Sequence, residues 1–200
     1  MKPQVYRIAA FPLNLILLPG EEIPLRIFEP RYKQLINECL ETSLPFGIPY
    51  MHKGEMTDIG SEVEVVKLVG RNNNDDMVIT IRGKSIFRTI DYFKALPDKL
   101  YGGTISESFD FDFSTTNPEI AVMVKTLKLN LSSELGTLIV TESISLLDIA
   151  RALMLNSDEK YKLLTLNDKT TRENFIINQL KFVELIRNQE SKLENNFQLN

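Results

Sequence analysis

Phe11-Pro-Leu-Asn-Leu-Ile-Leu-Leu-Pro-Gly-Glu-Glu-Ile-Pro-Leu-Arg-Ile-Phe-Glu-Pro-Arg-Tyr32 sets prolines and a single glycine among apolar runs. Proline fixes φ and removes an N–H donor, so Pro12, Pro19 and Pro24 mark strand edges and turns, while Gly20 permits a positive-φ turn between two strands. Pro30 falls near the first position of a helix, where its missing donor costs nothing. From there Tyr32, Leu35, Ile36, Cys39 and Leu40 recur at helical spacing and build one apolar stripe, which predicts a helix over about 29–41. Lys33, Gln34, Asn37, Glu38 and Glu41 are left on its outward face. Phe28 and Tyr32 flank the start of this helix and are expected to pack on a sheet, with Arg26, Glu29 and Arg31 forming a charged corner.

On either side of that helix the first hundred residues read as strands, because short β-branched and aromatic runs are punctuated by Pro and Gly. The predicted strands are Tyr6–Ala10, Leu15–Leu17, Ile23–Phe28, Pro45–Met51, Glu62–Val69, Met77–Arg82, Ser85–Tyr92 and Thr104–Phe109. Alternation is clearest at Val63 and Val65 against Glu62 and Glu64, and at Ile79 and Ile81 against Val78 and Thr80. The polar cluster Arg71–Asp76 between them predicts a hairpin.

Beyond about residue 113 the period changes to 3.6. Asn117-Pro-Glu119 is a cap, N1 proline and first-turn carboxylate opening a helix expected to end before Gly136. Ser145 with Asp148 opens a second, with Leu146, Ile149, Ala150, Leu153 and Met154 inward. Ser157-Asp-Glu starts a short third helix carrying Leu163, Leu164 and Leu166. Asn167 or Asp168 caps a long last helix with Phe175, Ile176, Leu180, Val183 and Ile186 on one face, its tail fraying from about Ser191. Phe182 and Leu185 lie off that face and are candidates for pairing with a second copy. The fold class is α+β: a strand-rich part over 1–113 followed by a helical part over 114–200.

The chain has 200 residues, 43% of them hydrophobic, and a net charge of -4. No apolar run approaches the ~20 residues of a membrane span. The run from Phe11 to Leu18 is interrupted by proline and followed by glutamates, unlike a secretory leader, so the expected location is the cytoplasm. One cysteine and one histidine exclude an internal disulfide and a Cys/His zinc set, so no metal or cofactor is expected. An acidic chain with no basic half makes nucleic acid an unfavoured partner.

Catalytic signatures are scarce. His52 is the one histidine around which a triad would be built, and it reads as a surface residue at a strand end. Gly83-Lys84-Ser85 lacks the first glycine of a phosphate loop, since residue 78 is valine, and runs into a strand where that motif needs a helix. Asn130-Leu-Ser132 matches a glycosylation sequon, which carries no weight in a cytoplasmic chain.

Residues Phe11–Tyr32, with their Phe-Pro-Leu, Leu-Pro-Gly and Pro-Leu-Arg-Ile-Phe-Glu-Pro-Arg-Tyr blocks in order, resemble the N-terminal substrate-recognition domain of Lon proteases, also found as free-standing bacterial proteins. Phe46-Gly-Ile48, Asp58-Ile-Gly60, Ile81–Arg88, Ser157–Leu164, Asp168 and Arg172 are similar to later parts of that family, so the resemblance covers nearly the whole chain. It implies a PUA-like pseudo-barrel followed by a helical bundle. It extends to neither the ATPase nor the Ser-Lys protease domain of a full Lon, which implies a non-enzymatic chain.

The function this implies is a binding module for unfolded or extended polypeptide, or for a partner protein. Exposed sheet edges and a groove where strand-rich and helical parts join would supply backbone hydrogen bonds. Candidate contacts are Arg31, Lys33, Gln34 and Asn37 on the outward helix face, and Phe46 and Tyr50 at the sheet rim. Alternatives are an adaptor or regulator of a separate Lon-type protease, and an RNA-binding protein of PUA-like type.

Overall fold

The computed structural model describes residues 4–109, 112–129, 131 and 143–197, and the chain divides into two compact units. One is built from residues 1–111 with 156–161, the other from residues 112–155 with 162–200.

The first unit carries β1 (Val5–Ala10), β2 (Glu22–Ile27), α1 (Pro30–Thr42), β3 (Phe46–His52), β4 (Glu55–Arg71), β5 (Met77–Phe93) and β6 (Gly102–Ser108). Strand order is β2-β5-β4-β3-β1-β6, and β6 also pairs with β5. Five strands therefore close into a ring, and β2 is attached outside it. Strand β5 makes both arrangements possible by changing partners along its length: Met77–Arg82 pairs with β2, Phe87–Phe93 with β6. Register shifts at Glu62/Val63, Val65/Lys67 and Leu68/Gly70 add the local twist that closure needs.

The predicted alternation is present in β5, where Met77, Ile79, Ile81 and Gly83 are buried and Val78, Arg82 and Lys84 exposed. The hairpin at 71–76 forms as expected: Asn72 N–H donates to Asp76 O at 3.0 Å, and Asp75 takes φ 61°. Gly20 adopts the positive φ, 84°, that its place in the turn before β2 anticipates.

Two strand expectations are corrected. Met77–Arg82 and Ser85–Tyr92 are one strand, because Gly83 does not break the chain. An added Cβ there would lie 2.3 Å from the Leu18 carbonyl oxygen, so the glycine admits a crossing backbone. That crossing is pinned by Gly83 N–H to Glu21 O and Gly20 N–H to Gly83 O, both 2.9 Å. Gly83→Ala is expected to cost about 1–3 kcal/mol by overpacking against an immobile carbonyl, read as a lowered denaturant midpoint; an unchanged midpoint would refute the close approach.

Leu15–Leu17 is not a strand. Ile16, Leu17 and Leu18 are buried without ladder partners, and side chains take the backbone groups instead. Ile16 N–H donates to Ser157 Oγ at 3.1 Å, Leu17 N–H to Ser61 Oγ at 2.9 Å and Leu18 N–H to Glu21 Oε2 at 2.7 Å.

Helix α1 starts with Pro30 at its first turn and packs Tyr32, Leu35, Ile36 and Cys39 inward, with the Tyr32 ring 3.6 Å from that of Phe11. Leu40, placed on the stripe by its spacing, is partly exposed. Phe28 is 60% exposed and does not pack on the sheet. The charged corner also divides: Arg31 pairs with Glu29 at 2.7 Å, whereas Arg26 reaches Asp76 of the hairpin at 3.3 Å.

The second unit carries β7 (Ser114–Thr115), α2 (Pro118–Thr126), β8 (Ile144–Ser145), α3 (Leu146–Ala152) and α5 (Lys169–Phe197), while α4 (Ser157–Thr165) divides between the units after Tyr161. The predicted caps are present: Asn117 Oδ1 accepts from Glu119 N–H, Ser145 Oγ from Asp148 N–H, and Asp168 Oδ1 from Thr171 N–H. Helix α2 ends at Thr126, and Gly136 and the sequon residues Asn130 and Ser132 lie outside the described residues. Met154 does not face inward: α3 ends before it, and Met154 sits at φ 54° with 83% exposure. On α5, Phe175, Ile176 and Leu180 are buried, but Ile186 is partly exposed, and the helix continues to Phe197 past the predicted fraying point.

Candidate functional site

The site follows from how β1 is paired. Gln4 O accepts from Ser108 N–H, and Phe11 N–H donates to Gly47 O, so hydrogen bonds to β6 fall on even residues and the opposite edge belongs to odd ones. On that opposite edge β1 meets β3 only at Ala10↔Gly47. Strand β3 begins at Phe46, one residue before this point. The backbone groups of Val5 and Arg7 therefore face away from β6 with no strand partner among the described residues.

That open edge lines a cleft of about 590 Å³. Tyr6, Arg7, Ile8 and Ala9 form one wall, the C-terminal half of α1 the other, with Leu44 and Pro45 at the end. A second hollow of about 390 Å³ lies along the same Arg7–Ala9 stretch, bounded by Leu96 and Pro97.

Polar groups in the cleft are organised by two glutamates. Glu38 Oε2 accepts from Lys99 Nζ at 2.7 Å and from the Tyr101 hydroxyl at 2.6 Å. The bond from Lys99, then that from Tyr101, holds the Glu38 carboxyl below the usual carboxylate range, and Tyr101 is raised by burial and by Glu38. Glu62 Oε2 accepts from the Tyr6 hydroxyl at 3.3 Å; burial first and Glu62 second push Tyr6 up to about 12. Cys39 lines the same cleft, but burial, with Glu38 adding to it, lifts its thiol to about 11. At neutral pH it is a packing group rather than a nucleophile.

Four of the predicted contact residues hold the unit's own parts. Arg31 stays exposed, paired with Glu29 and stacked 4.5 Å over the Tyr32 ring. Lys33 Nζ reaches Asn74 O at 2.7 Å and Asp76 at 3.0 Å. Gln34 Oε1 accepts from Leu100 N–H at 2.8 Å, and Asn37 Oδ1 from Arg71 at 2.7 Å. The outward face of α1 thus ties down the β4–β5 hairpin and the loop before β6. Phe46 and Tyr50 are fully buried rather than at a rim. Among the predicted six, none lies on the open edge.

His52 is not isolated. Its Nδ1 lies 3.1 Å from Asp158 Oδ1, which also accepts the Tyr50 hydroxyl, and its ring stacks on Tyr161 at 5.9 Å. The bonds from Tyr50 and His52 hold the Asp158 carboxyl below its ordinary value. This cluster fastens Asn156–Tyr161 onto β3. Among the described residues no group of three or more His, Cys, Asp and Glu is placed to hold a metal ion, and no helix is long and apolar enough to cross a membrane.

A five-strand ring with an outside strand, one helix laid across it and a helical part following defines an α+β domain of the Lon N-terminal type. The chain belongs to the family of ATP-dependent protease La (LON) substrate-binding domains, whose model matches residues 7–181. It is similar in structure to a Lon N-terminal domain protein from Xanthomonas campestris, at TM-score 0.60 and 25% identity over 84% of this chain and 95% of that one. It shares its fold with the N-terminal domain of the Mycobacterium avium complex Lon protease, at TM-score 0.58 and 16% identity over 88% of this chain and 98% of that one. No curated protein matches the sequence.

Proposed function

We propose that this chain is a non-catalytic module that binds unfolded or extended polypeptide, or an extended segment of a partner protein, as an added strand on the open edge of β1. The observation that carries this reading is the edge of β1 turned away from β6, where Val5 and Arg7 have no strand partner among the described residues and Arg7 lines a cleft of about 590 Å³. Strand addition draws affinity from main-chain groups that every peptide has, which suits a family named for substrate binding. Each such bond contributes about 0.5–1.5 kcal/mol net. A few of them, set against the cost of association, give weak binding, and these main-chain bonds by themselves make little sequence choice.

Proline at position 7 tests the edge directly. The Arg7 N–H points to the cleft and takes no part in the ladder to β6, so Arg7→Pro deletes an edge donor in a place where proline is tolerated. Binding of the full chain to a reduced, carboxymethylated model protein is expected to weaken at least tenfold in Arg7→Pro and less than threefold in Arg7→Ala. Equal binding by all three proteins, or none above background at several hundred micromolar, would overturn the reading.

A further inference from the structure

Glu62 is the half-buried acid of the cleft that has no ion-pair partner among the described residues. It is half-buried on β4, in register with Gly47 of β3 and Ser85 of β5. Its Oε2 accepts the Tyr6 hydroxyl at 3.3 Å and the Ser85 hydroxyl at 3.2 Å, and no Lys or Arg pairs with it among the described residues. Other half-buried glutamates of the unit are matched: Glu21 by Lys160, Glu29 by Arg31, Glu38 by Lys99, Glu64 by Arg82 and Glu107 by Arg88. Two neutral hydroxyls orient the Glu62 carboxylate without cancelling its charge.

The register states which side chains of an added strand would meet it. A Cβ at Gly47 would fall 3.2 Å from Ile8 Cγ2, so Gly47 and its cross-strand partner Glu62 share the face that bears Ile8. Tyr6, two residues earlier, lies on that face too and touches Glu62. Residues directly opposite one another in neighbouring strands share a face. A peptide on the open edge would therefore turn the residues opposite Tyr6 and Ile8 toward Glu62, and those between them toward the side of Arg7.

We infer that the cleft selects extended segments with a lysine or arginine at one of these alternate positions, its stem lying on Ile8 and Pro45 and its charged head reaching Glu62. This rests on strand addition at β1 and names the side chain that strand addition favours. Long basic side chains suit such a site because the stem covers apolar wall while the head finds the carboxylate. A charge-assisted hydrogen bond to a half-buried acid is about twice as strong as a neutral one.

The test compares two fluorescein-labelled decapeptides of alternating Val and Thr, identical except for a central lysine or norleucine, titrated with the full chain by fluorescence anisotropy. The lysine peptide is expected to bind about tenfold tighter at 50 mM salt, with the gap narrowing at 500 mM. Glu62→Gln keeps an acceptor for Tyr6 and Ser85, and is expected to close the gap to within twofold by weakening the lysine peptide alone. Equal binding of both peptides by the native chain would overturn the basic selectivity and leave strand addition standing. A preference that survives Glu62→Gln or is unmoved by salt would also overturn it. Binding of neither peptide would remove both readings.

Discussion

Replacing Lys160 by methionine is expected to cost the full chain about 3–5 kcal/mol. Lys160 is buried on α4, with its ammonium 2.7 Å from Glu21 Oε2 and 3.3 Å from the Ile16 carbonyl oxygen. The same Glu21 oxygen accepts the Leu18 N–H, so one ion pair fixes both ends of the buried, ladderless segment Ile16–Leu18. Methionine keeps most of the stem and its packing, so the loss is the charge. What remains is a half-buried carboxylate with a single neutral donor, which is the costly state of a broken buried pair. Adding Glu21→Gln to Lys160→Met is expected to recover more than half of that cost, because no uncompensated charge then stays behind. Urea denaturation of the two single variants and the double variant gives the coupling energy. A Lys160→Met protein within 1 kcal/mol of the native chain would show that the pair holds nothing together.

The same segment shows why part of this fold is legible in sequence and part is not. Half-buried strands announce themselves by alternation, as in Met77–Lys84, because one face meets the core and the other water. Leu15–Leu17 has no such contrast. It is apolar because it is enclosed, and its backbone partners Ser61 and Ser157 stand far along the chain, where no local pattern refers to them. Gly83 misleads for a related reason: a glycine inside a strand pattern reads as a break, whereas this one makes room for the Leu18 carbonyl. Family-like blocks nonetheless record these contacts, since the Leu-Pro-Gly-Glu stretch ending at Glu21 and the Ser157–Lys160 block meet through them.

For the site the sequence speaks less clearly. Polar residues on the outward face of α1 look like free surface, and their side chains are polar because they bind backbone and side-chain groups of two neighbouring loops. Nothing in Val5-Tyr-Arg-Ile-Ala-Ala10 marks an open edge. That property belongs to the register, with β3 paired to β1 at Ala10 and not before it, and register is a tertiary fact. Glu62 stood out in the sequence only as the polar half of an alternation. That no described Lys or Arg pairs with it emerges once β1, β3 and β5 are set around it.

Arg172→Leu is expected to destabilise the second unit by about 3 kcal/mol, through the loss of the donors that three backbone carbonyls accept from. Arg172 lies in the first turn of α5 and is almost wholly buried. Its Nε donates to Leu166 O at 2.9 Å, Nη2 to Asn167 O at 3.3 Å and Nη1 to Asp112 O at 3.0 Å, while the guanidinium lies 4.8 Å over the Phe113 ring. Leu166 and Asn167 directly follow α4, where a helix leaves carbonyls without partners and its dipole favours positive charge. One planar fork thus closes α4, opens α5 and holds the start of the unit. Leucine fills the volume but donates nothing. Lysine carries the charge but is a single point on a flexible stem, unable to reach three carbonyls in a fixed plane, so Arg172→Lys is expected to recover less than half of the loss. For a chain of this length a 3 kcal/mol loss lowers the melting temperature by about 6–12 °C, and amide exchange should rise across α4, α5 and the residues around Asp112 before it rises in β4 and β5. An Arg172→Lys protein as stable as the native chain would mean that charge alone, not the fork, does this work.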